Sequence, residues 1–289
     1  MKKNIELQTK GSTSAQISAT GVLIIPNGTK TIKQYEYRGN DNITSVVIPR
    51  SVTKITRGAF EYCSNLCCIK GGDGLKEISI RAFKGTALEE IVLPKSLKRV
   101  REDSFSECEE LISVEFEGND TVIEEGCFSD CSKLHTVMLP IDMNVIPDDL
   151  FYGCANLDCV ALSPNLRCIG NMAFMDCYHL RQLDYYSFSE CHGLMFPNSV
   201  TTIGYNAFRG CSGLTHVTIP NSVTSIGWYA FGDCSGLRQI TFEGLTKMDV
   251  NHSALTSCTG LITINVPGEY LETYKKMLPK ELHEKLVGF

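Results

Sequence analysis

The sequence predicts a single solenoid, in which about eleven copies of one repeated unit stack as successive coils. Three observations support this prediction. Phenylalanines recur every 22 or 23 residues, at Phe60, Phe83, Phe105, Phe128, Phe151 and Phe174. Most of them begin the motif F-x-x-C-x-x-L, as in Phe60, Cys63 and Leu66. An apolar segment precedes the motif and is clearest in the two neighbouring copies FPNSVTTIGYNAFRGCSGL and IPNSVTSIGWYAFGDCSGL.

The unit can be written L-x-x-V-x-I-P-x-S-V-T-x-I-G-x-x-A-F-x-x-C-x-x. Its first segment, L-x-x-V-x-I, alternates like a strand with one buried face, and the Pro that follows ends the strand because it has no N–H to donate. The segment S-V-T-x-I predicts a second, shorter strand. Gly then permits a sharp corner, and x-x-A-F-x-x-C predicts a short helical or 3₁₀ turn. One coil cannot bury its apolar side chains alone, so stacked coils are expected to share a continuous core.

The repeats are predicted to occupy residues 21–267, beginning with a degenerate copy in which Tyr37 takes the Phe position. Two copies near residues 180–200 are defective. One loses about nine residues between Leu180 and Phe188, and the next loses three before Pro197. We expect the solenoid to kink or to lose convex structure there.

Both ends of a solenoid need a cap, because an open sheet edge promotes aggregation. Residues 1–20 alternate loosely between apolar and polar side chains and predict an N-terminal β cap. Residues 268–289 predict a C-terminal helical cap, because Tyr270, Tyr274 and Met277 have helical spacing. Pro279 interrupts this pattern, and Leu286 falls in a second short turn.

Nine of the fourteen cysteines occupy the Cys position of the repeat. They are Cys63, Cys108, Cys131, Cys154, Cys177, Cys191, Cys211, Cys234 and Cys258. Thr86 and Asn40 replace Cys in other copies, and neither can form a disulfide, so the pattern predicts a ladder of buried, reduced thiols. Two alternatives remain: disulfides between neighbouring coils, which are close enough in a solenoid, and a metal site near Cys63, Cys67 and Cys68.

Composition limits the kinds of partner. The formal net charge is −6 and the pI about 5.6, which argues against nucleic acid as a partner. No run of 18 apolar residues is present, so no membrane insertion is expected. The opening MKKNIELQTKGSTSAQ lacks the apolar core of a signal peptide, which taken alone predicts a cytoplasmic protein.

No motif in the sequence predicts catalysis, a cofactor or a bound metal. The glycine-rich segment Gly71–Gly74 lacks the Lys-Ser/Thr pair of a phosphate-binding loop, and we interpret it as an irregular turn that replaces I-P in its copy. No G-x-S-x-G elbow is present, and the six histidines fall at different repeat positions.

The unit resembles the leucine-rich repeats of the BspA-like and treponemal class. The resemblance covers roughly residues 21–267, and the closing stretch INVPGEYLETYKKM resembles the usual end of these proteins. It implies a leucine-rich repeat solenoid of the right-handed β/α type: an arc with a parallel β-sheet on its concave side, short strands and 3₁₀ or helical turns on the convex side, and a C-terminal capping helix. It also implies adhesion or protein recognition at a microbial surface or after secretion, and no catalytic residues.

In L-x-x-V-x-I the Leu, Val and Ile side chains point inward, so the side chains at the third and fifth positions point out from the concave sheet. The candidate contact residues at these positions are Val47, Lys70, Glu90, Val92, Glu115, Met138, Ala161, Asp184, His216 and Thr218. Apolar side chains on adjacent strands are a candidate contact surface, and the acidic residues among them favour a basic or mixed partner. The alternative is that β-propensity alone accounts for the valines.

The leading hypothesis is a non-catalytic scaffold for protein interaction or adhesion, whose partner is a host or bacterial protein or a glycan. A second hypothesis is an enzyme or metal-binding protein whose site is assembled across several coils. Such a protein should have a deep pocket with convergent polar groups and perturbed acids or bases. A third is a self-associating structural protein, which the oligomeric state of the purified protein would reveal.

Overall fold

The computed structural model describes residues 15–184, 193–244, 249–250 and 252–289. They form the predicted solenoid, with about eleven turns built from parallel strands and few helices. The strands are, in chain order, β1 (Gln16–Ile17), β2 (Val22–Ile24), β3 (Thr31–Ile32), β4 (Ser45–Ile48), β5 (Lys54–Ile55), β6 (Cys68–Gly71), β7 (Glu77–Ile78), β8 (Glu90–Leu93), β9 (Arg99–Val100), β10 (Ser113–Phe116), β11 (Val122–Ile123), β12 (Thr136–Met138), β13 (Val145–Ile146), β14 (Cys159–Ala161), β15 (Cys168–Ile169), β16 (Gln182–Asp184), β17 (Leu194–Met195), β18 (Thr202–Ile203), β19 (His216–Ile219), β20 (Ser225–Ile226), β21 (Gln239–Phe242), β22 (Asp249–Val250), β23 (Thr263–Val266) and β24 (Leu286–Gly288).

Each regular coil contributes one longer strand to the concave side and one two-residue strand to the convex side. The concave strands form a ten-stranded sheet from β8 to β24 and a separate four-stranded sheet of β1, β2, β4 and β6. The convex strands form two sheets of five strands, which separate between β11 and β13. Pairing follows the repeat spacing, so that Ser45 lies opposite Cys68 and Lys54 opposite Glu77. In regular concave strands such as β4 and β8 every second residue is buried, as the alternation in the sequence predicts.

The segment around each Phe forms the predicted short turns with hydrogen bonds of the 3₁₀ type, without a continuous helix. It consists of separate turns closed by bonds such as Ala59 N–H to Thr56 O at 3.2 Å and Cys63 N–H to Phe60 O at 3.1 Å. Left-handed residues interrupt these turns, for example Asp103 at φ 54° and Glu107 at φ 57°. A left-handed residue cannot continue a right-handed helix, and this is why no helix forms in the described repeats.

Stacked phenylalanine rings fill the core from coil to coil. The ring centroids of Phe60 and Phe83 are 5.2 Å apart, and those of Phe83 and Phe105 are 5.3 Å apart, with nearly parallel planes. Tyr37, which takes the Phe position in the first copy, stacks on Phe60 at 5.2 Å. The ladder of aromatic rings therefore provides a continuous apolar core, which no single coil could form alone.

The cysteine position forms a second ladder, and the thiols that the structure describes there are free. Each described Sγ donates to the backbone carbonyl at the Phe position of the preceding coil, at 2.9–3.2 Å. The donors are Cys63, Cys108, Cys131, Cys154, Cys177, Cys211, Cys234 and Cys258, all of them buried. Thr86 is also buried, but its Oγ1 donates to Phe83 O of its own coil, at 2.9 Å. Cys at this position therefore fills a small buried volume and binds a carbonyl of the neighbouring coil.

The defective copies lose a convex element and keep their concave strands. Strands β16 and β17 pair with each other through Leu183 and Leu194. On the convex side β15 pairs directly with β18, and Phe174 stacks directly on Phe208 at 5.1 Å. Phe188 and Cys191 lie outside the described residues.

Residues 1–14 of the predicted N-terminal cap lie outside the described residues, but β1 is antiparallel to β2, with Gln16 opposite Ile24. The C-terminal segment contains a 3₁₀ helix (Gly268–Tyr270), helix α1 (Leu271–Met277) and a second 3₁₀ helix (Lys280–Lys285). Tyr274 is fully buried and its hydroxyl donates to Gly244 O at 2.8 Å. Leu286 lies in strand β24 rather than in the predicted turn, because the chain returns to pair with β23 and extends the sheet by one strand.

Candidate functional site: the concave face

Pairing of the concave strands places the candidate residues in two rows, the third and fifth positions of L-x-x-V-x-I. In the fifth-position row Val92 lies opposite Glu115, and Met138 lies opposite Ala161. Val92 is 57% exposed and Met138 47% exposed. Lys70, Glu90, Glu115 and His216 are also exposed, whereas Val47 and Thr218 are half-buried. The rows therefore present large apolar side chains beside charged ones.

Ala161 departs from the expectation of an outward contact residue. It is in register with the exposed Met138, yet it is only 2% exposed, and Cys159 on the same strand is also buried. A one-carbon side chain between two strands is shielded by longer neighbours, so register alone does not make it accessible. The backbone of Asp184 pairs with Ala161, and its side chain is outside the described part of the structure.

Met195 belongs to the concave face and is absent from the residues that the sequence predicted. It lies on β17 opposite Thr218 and is 43% exposed. The copy that contains Met195 lacks three residues of its strand, so its positions cannot be assigned by counting from the start of the unit. Aligning Met195-Phe-Pro197 with Thr218-Ile-Pro220 would have placed Met195 at the fifth position.

Charged side chains of the concave face lack ion pairs, in contrast to those elsewhere on the coils. Within the described residues, Lys70, Glu90 and Glu115 have no salt bridge. Elsewhere ion pairs join successive coils, such as Lys54–Glu77 at 3.0 Å, Lys84–Glu107 at 2.9 Å, Lys98–Asp120 at 2.7 Å and Arg209–Asp233 at 2.8 Å. The unpaired charges of the concave face therefore remain free to interact with another molecule.

The concave sheet is interrupted between β6 and β8, which do not pair. Gly71 and Gly72 cause part of this interruption, since both have positive φ, 79° and 89°. A Cβ on Gly71 would lie 2.4 Å from Ile48 O, so only Gly fits there. The segment is the irregular turn that the sequence predicts in place of I-P.

The turn before β8 contributes the rest of the interruption. Phe83, Thr86 and Leu88 have one residue fewer between the Cys and Leu positions than Phe60, Cys63 and Leu66. In other coils a backbone hydrogen bond joins neighbouring coils just before the concave strand, such as Cys67 N–H to Thr44 O at 3.0 Å. The Glu89 N–H makes no corresponding bond in the described residues. The coil consequently loses its register with β6, and a cleft of about 270 Å³ opens between the strands.

Among the described residues, the titratable groups with shifted pKa values lie away from the concave face. Burial raises the pKa of Asp130 and of Asp149, and neighbouring carboxylates raise it further. Both residues lie on the turns beside the Phe ladder. Burial also raises the pKa of the Cys63 and Cys108 thiols to about 11, which keeps them protonated and unreactive.

The described residues offer few side chains that could bind a metal ion together. Among them, no three or more His, Cys, Asp and Glu side chains are grouped closely enough to hold a metal ion. Cys63 is buried and donates to Tyr37 O, whereas the nearby Cys67 is exposed and donates to Thr44 O at 3.3 Å. No helix in the described ranges has the length and apolar composition needed to cross a membrane.

Comparison with known proteins supports this architecture. The family model described as the BspA type leucine rich repeat region matches in six copies, in segments covering residues 16–84, 30–158, 76–191 and 181–279. No curated protein matches the sequence significantly.

Among solved structures, the chain is similar to a leucine rich cell surface protein from Faecalibacterium prausnitzii A2-165, with a TM-score of 0.55 and 23% identity over 86% of this chain and 72% of that one. It is also similar to the leucine rich repeat protein of T. pallidum, with a TM-score of 0.52 and 32% identity over 55% of this chain and 78% of that one. Because the family model covers nearly the whole solenoid, the chain belongs to the BspA-type leucine-rich repeat family.

Proposed function

We propose that the protein is a non-catalytic scaffold that binds another protein on its concave face. The observation that carries the proposal is the combination of exposed apolar side chains, Val92, Met138 and Met195, with the unpaired charges of Lys70, Glu90 and Glu115. Exposed apolar groups in one row of the same face favour association, and the unpaired charges between them provide specificity.

Two further features support a scaffold rather than an enzyme. The acids with raised pKa values, Asp130 and Asp149, do not line the cleft between β6 and β8. Apart from that cleft, the described part of the concave face is an extended surface rather than a deep pocket with convergent polar groups, the usual form of an enzyme site. Proteins of this fold generally bind other proteins through such surfaces.

We further propose adhesion at a cell surface as the setting, with a host or bacterial protein as the partner. The F. prausnitzii relative is named a cell surface protein, and this supports the proposed location. The acidic balance of the chain, with a net charge of −6, favours a basic or mixed protein surface over nucleic acid.

The proposal is tested by capturing partners from host and bacterial extracts and then measuring the affinity of each partner for single variants. Val92→Lys and Met138→Lys place a charge in the apolar part of the concave face and should weaken binding at least ten-fold. Val122→Lys is the matched control, because Val122 is similarly exposed, at 51%, but lies on convex strand β11. All three variants must keep the circular dichroism spectrum of the parent.

The outcome separates the two sides of the solenoid. If both concave variants bind like the parent, while Val122→Lys or Trp228→Ala on the turns of the outer side abolishes binding, the concave assignment is wrong. A ligand that turns out to be a glycan and still loses affinity with Val92→Lys would retain the site and change the class of partner.

A further inference from the structure

The cleft between β6 and β8 interrupts the regular stacking of the described concave strands. Its apolar walls come from both sides of the interruption and include Ile48, Ile69, Leu75, Ile91 and Leu93. Ile69 is half-buried and Val92 at the mouth is exposed, so the cleft opens toward the concave face. An apolar void of about 150 Å³ in a protein core is enough to bind benzene, and this cleft is larger, at about 270 Å³.

The mouth of the cleft is acidic. Asp73, Glu90 and Glu117 line it, and no Lys or Arg side chain does. In the described residues none of the three carboxylates has a salt bridge; Glu117 accepts only the backbone N–H of Lys95, at 3.2 Å. The nearby Lys70, on β6, is exposed and does not pair across the interruption with Glu90. Local charge therefore favours a cationic group above an apolar floor.

The width of the interruption limits what can enter. Some Cα atoms of β6 and β8 lie within 8 Å of each other. Insertion of a whole strand between them would require about 9.6 Å, which is two strand spacings. A whole strand therefore does not fit where β6 and β8 approach each other, whereas the cleft volume of about 270 Å³ is large enough for one large side chain.

We propose that this cleft is an anchor site that takes one large apolar side chain of the protein partner, with a Lys or Arg of the same segment beside it. The apolar side chain enters between Ile69 and Ile91, and its basic neighbour contacts Glu90 and Asp73 at the mouth. The inference rests on the proposed function, since it assigns part of the concave contact to one place. Such a filled central pocket is the usual form of an energetic hot spot at a protein interface.

Three blocked dipeptides test the chemistry without the natural partner: N-acetyl-Phe-Lys-amide, N-acetyl-Phe-Glu-amide and N-acetyl-Gly-Lys-amide. Each is titrated into protein with labelled Ile and Leu methyl groups, and chemical-shift changes are followed by NMR. The Phe-Lys probe should shift the methyl signals of Ile69, Leu75 and Ile91 and should bind most tightly. The Gly-Lys probe should leave these signals unchanged, because it has no side chain to fill the cleft.

Two variants test the residues. Glu90→Gln should weaken the Phe-Lys probe about two- to five-fold, as expected for one exposed ion pair, and leave the Phe-Glu probe unchanged or tighter. Ile69→Trp should fill the cleft and abolish the shifts of Leu75 and Ile91. Glu125→Gln is the matched control, since Glu125 is an exposed carboxylate on the convex turns.

If Ile69→Trp does not fold, Glu90→Gln still decides the result, because it changes only a surface group. Equal binding of Phe-Lys and Phe-Glu, or shifts that map outside the cleft, would overturn the proposal. Met138→Lys separates this inference from the proposed function, because Met138 does not line the cleft. If the Phe-Lys probe does not bind the cleft but Met138→Lys loses affinity for the partner, the anchor site is wrong and the proposed function stands. Probe binding together with unchanged partner affinity of Met138→Lys counts against the wider concave face and leaves the anchor site standing.

Discussion

Phe151 provides the sharpest test of how the solenoid is stabilised. Its ring is fully buried and stacks on Phe128 at 6.0 Å and on Phe174 at 5.4 Å. Replacement by Ala removes both stacked pairs, each contributing about 0.5–1.5 kcal/mol, and leaves a cavity. The total loss expected for a buried Phe→Ala change is about 3–5 kcal/mol.

Tyr37 provides the matched comparison at the end of the same ladder. It is half-buried and has one stacked neighbour, Phe60, at 5.2 Å. Because it loses one aromatic pair instead of two and a smaller buried area, Tyr37→Ala should cost roughly half as much as Phe151→Ala. In a solenoid each coil contacts chiefly its neighbours, so a central defect also weakens the coupling between the two halves.

The assay is urea unfolding followed by circular dichroism, with fluorescence as a second probe. Phe151→Ala should lower the unfolding midpoint clearly more than Tyr37→Ala, and it can also separate the transition into two steps. An equal or larger effect of Tyr37→Ala would refute the reasoning, because the aromatic ladder would then not be the main source of stability in the central coils.

Three further predictions concern thiols, glycines and a carboxyl group. Burial raises the pKa of the Cys63 thiol to about 11, so ladder thiols of this kind should react slowly with a thiol reagent at pH 8. The exposed Cys67 should react at once. Regular disulfides between coils, found by mass spectrometry, would contradict this prediction. Gly126→Ala should lower the thermal midpoint more than Gly28→Ala. Both glycines have positive φ, but the new Cβ at Gly126 would lie 2.6 Å from Asp103 Oδ1, whereas a Cβ at Gly28 would meet no atom within 4 Å. Equal losses would show that backbone strain alone causes the destabilisation. Asp149 has a raised pKa, mainly from burial, so its folded form binds protons more strongly than its unfolded form and stability declines as pH rises above its ordinary value of 3.8. Asp149→Asn should therefore raise the thermal midpoint at pH 7 and lose this advantage at pH 3; an advantage that persists at pH 3 would point to a cause other than ionisation.

Much of the fold could be predicted from the sequence because every copy of the repeat contains the same short segments, each of which determines the local structure of its coil. The spacing of Phe60, Phe83 and Phe105 gives the register of the ring ladder, and the alternation before each Pro gives the face of every concave strand. The replacement of Cys by Thr86 predicted free thiols, and the ladder cysteines that the structure describes are free. These features depend on short segments that recur in every coil.

Features that depend on neighbouring coils could not be predicted in the same way. Left-handed positions are occupied by Asp103 as well as by Gly126, so no single residue type marks them. The burial of Ala161 depends on the size of side chains on adjacent strands. The interruption beside Gly71 has two causes: a local irregular turn and the loss of one residue in the following coil. The glycine-rich segment predicts the turn, whereas the effect of the missing residue depends on how two coils stack.

The defective copies have a geometric consequence for the whole arc. Phe174 and Phe208 are adjacent at 5.1 Å, although strand β16 separates the concave strands of their coils, β14 and β17. The stack is therefore a wedge there, thicker on its inner side by about 4.8 Å, one strand spacing. Over a body about 10 Å thick, this excess tilts the flanking coils by an angle on the order of 25°, against the curvature of the arc. The ten-stranded part of the inner surface is thereby divided into two facets, β8–β16 and β17–β23. A rigid, flat partner would rest on one facet or the other, whereas a partner with a hinge or a ridge could occupy both.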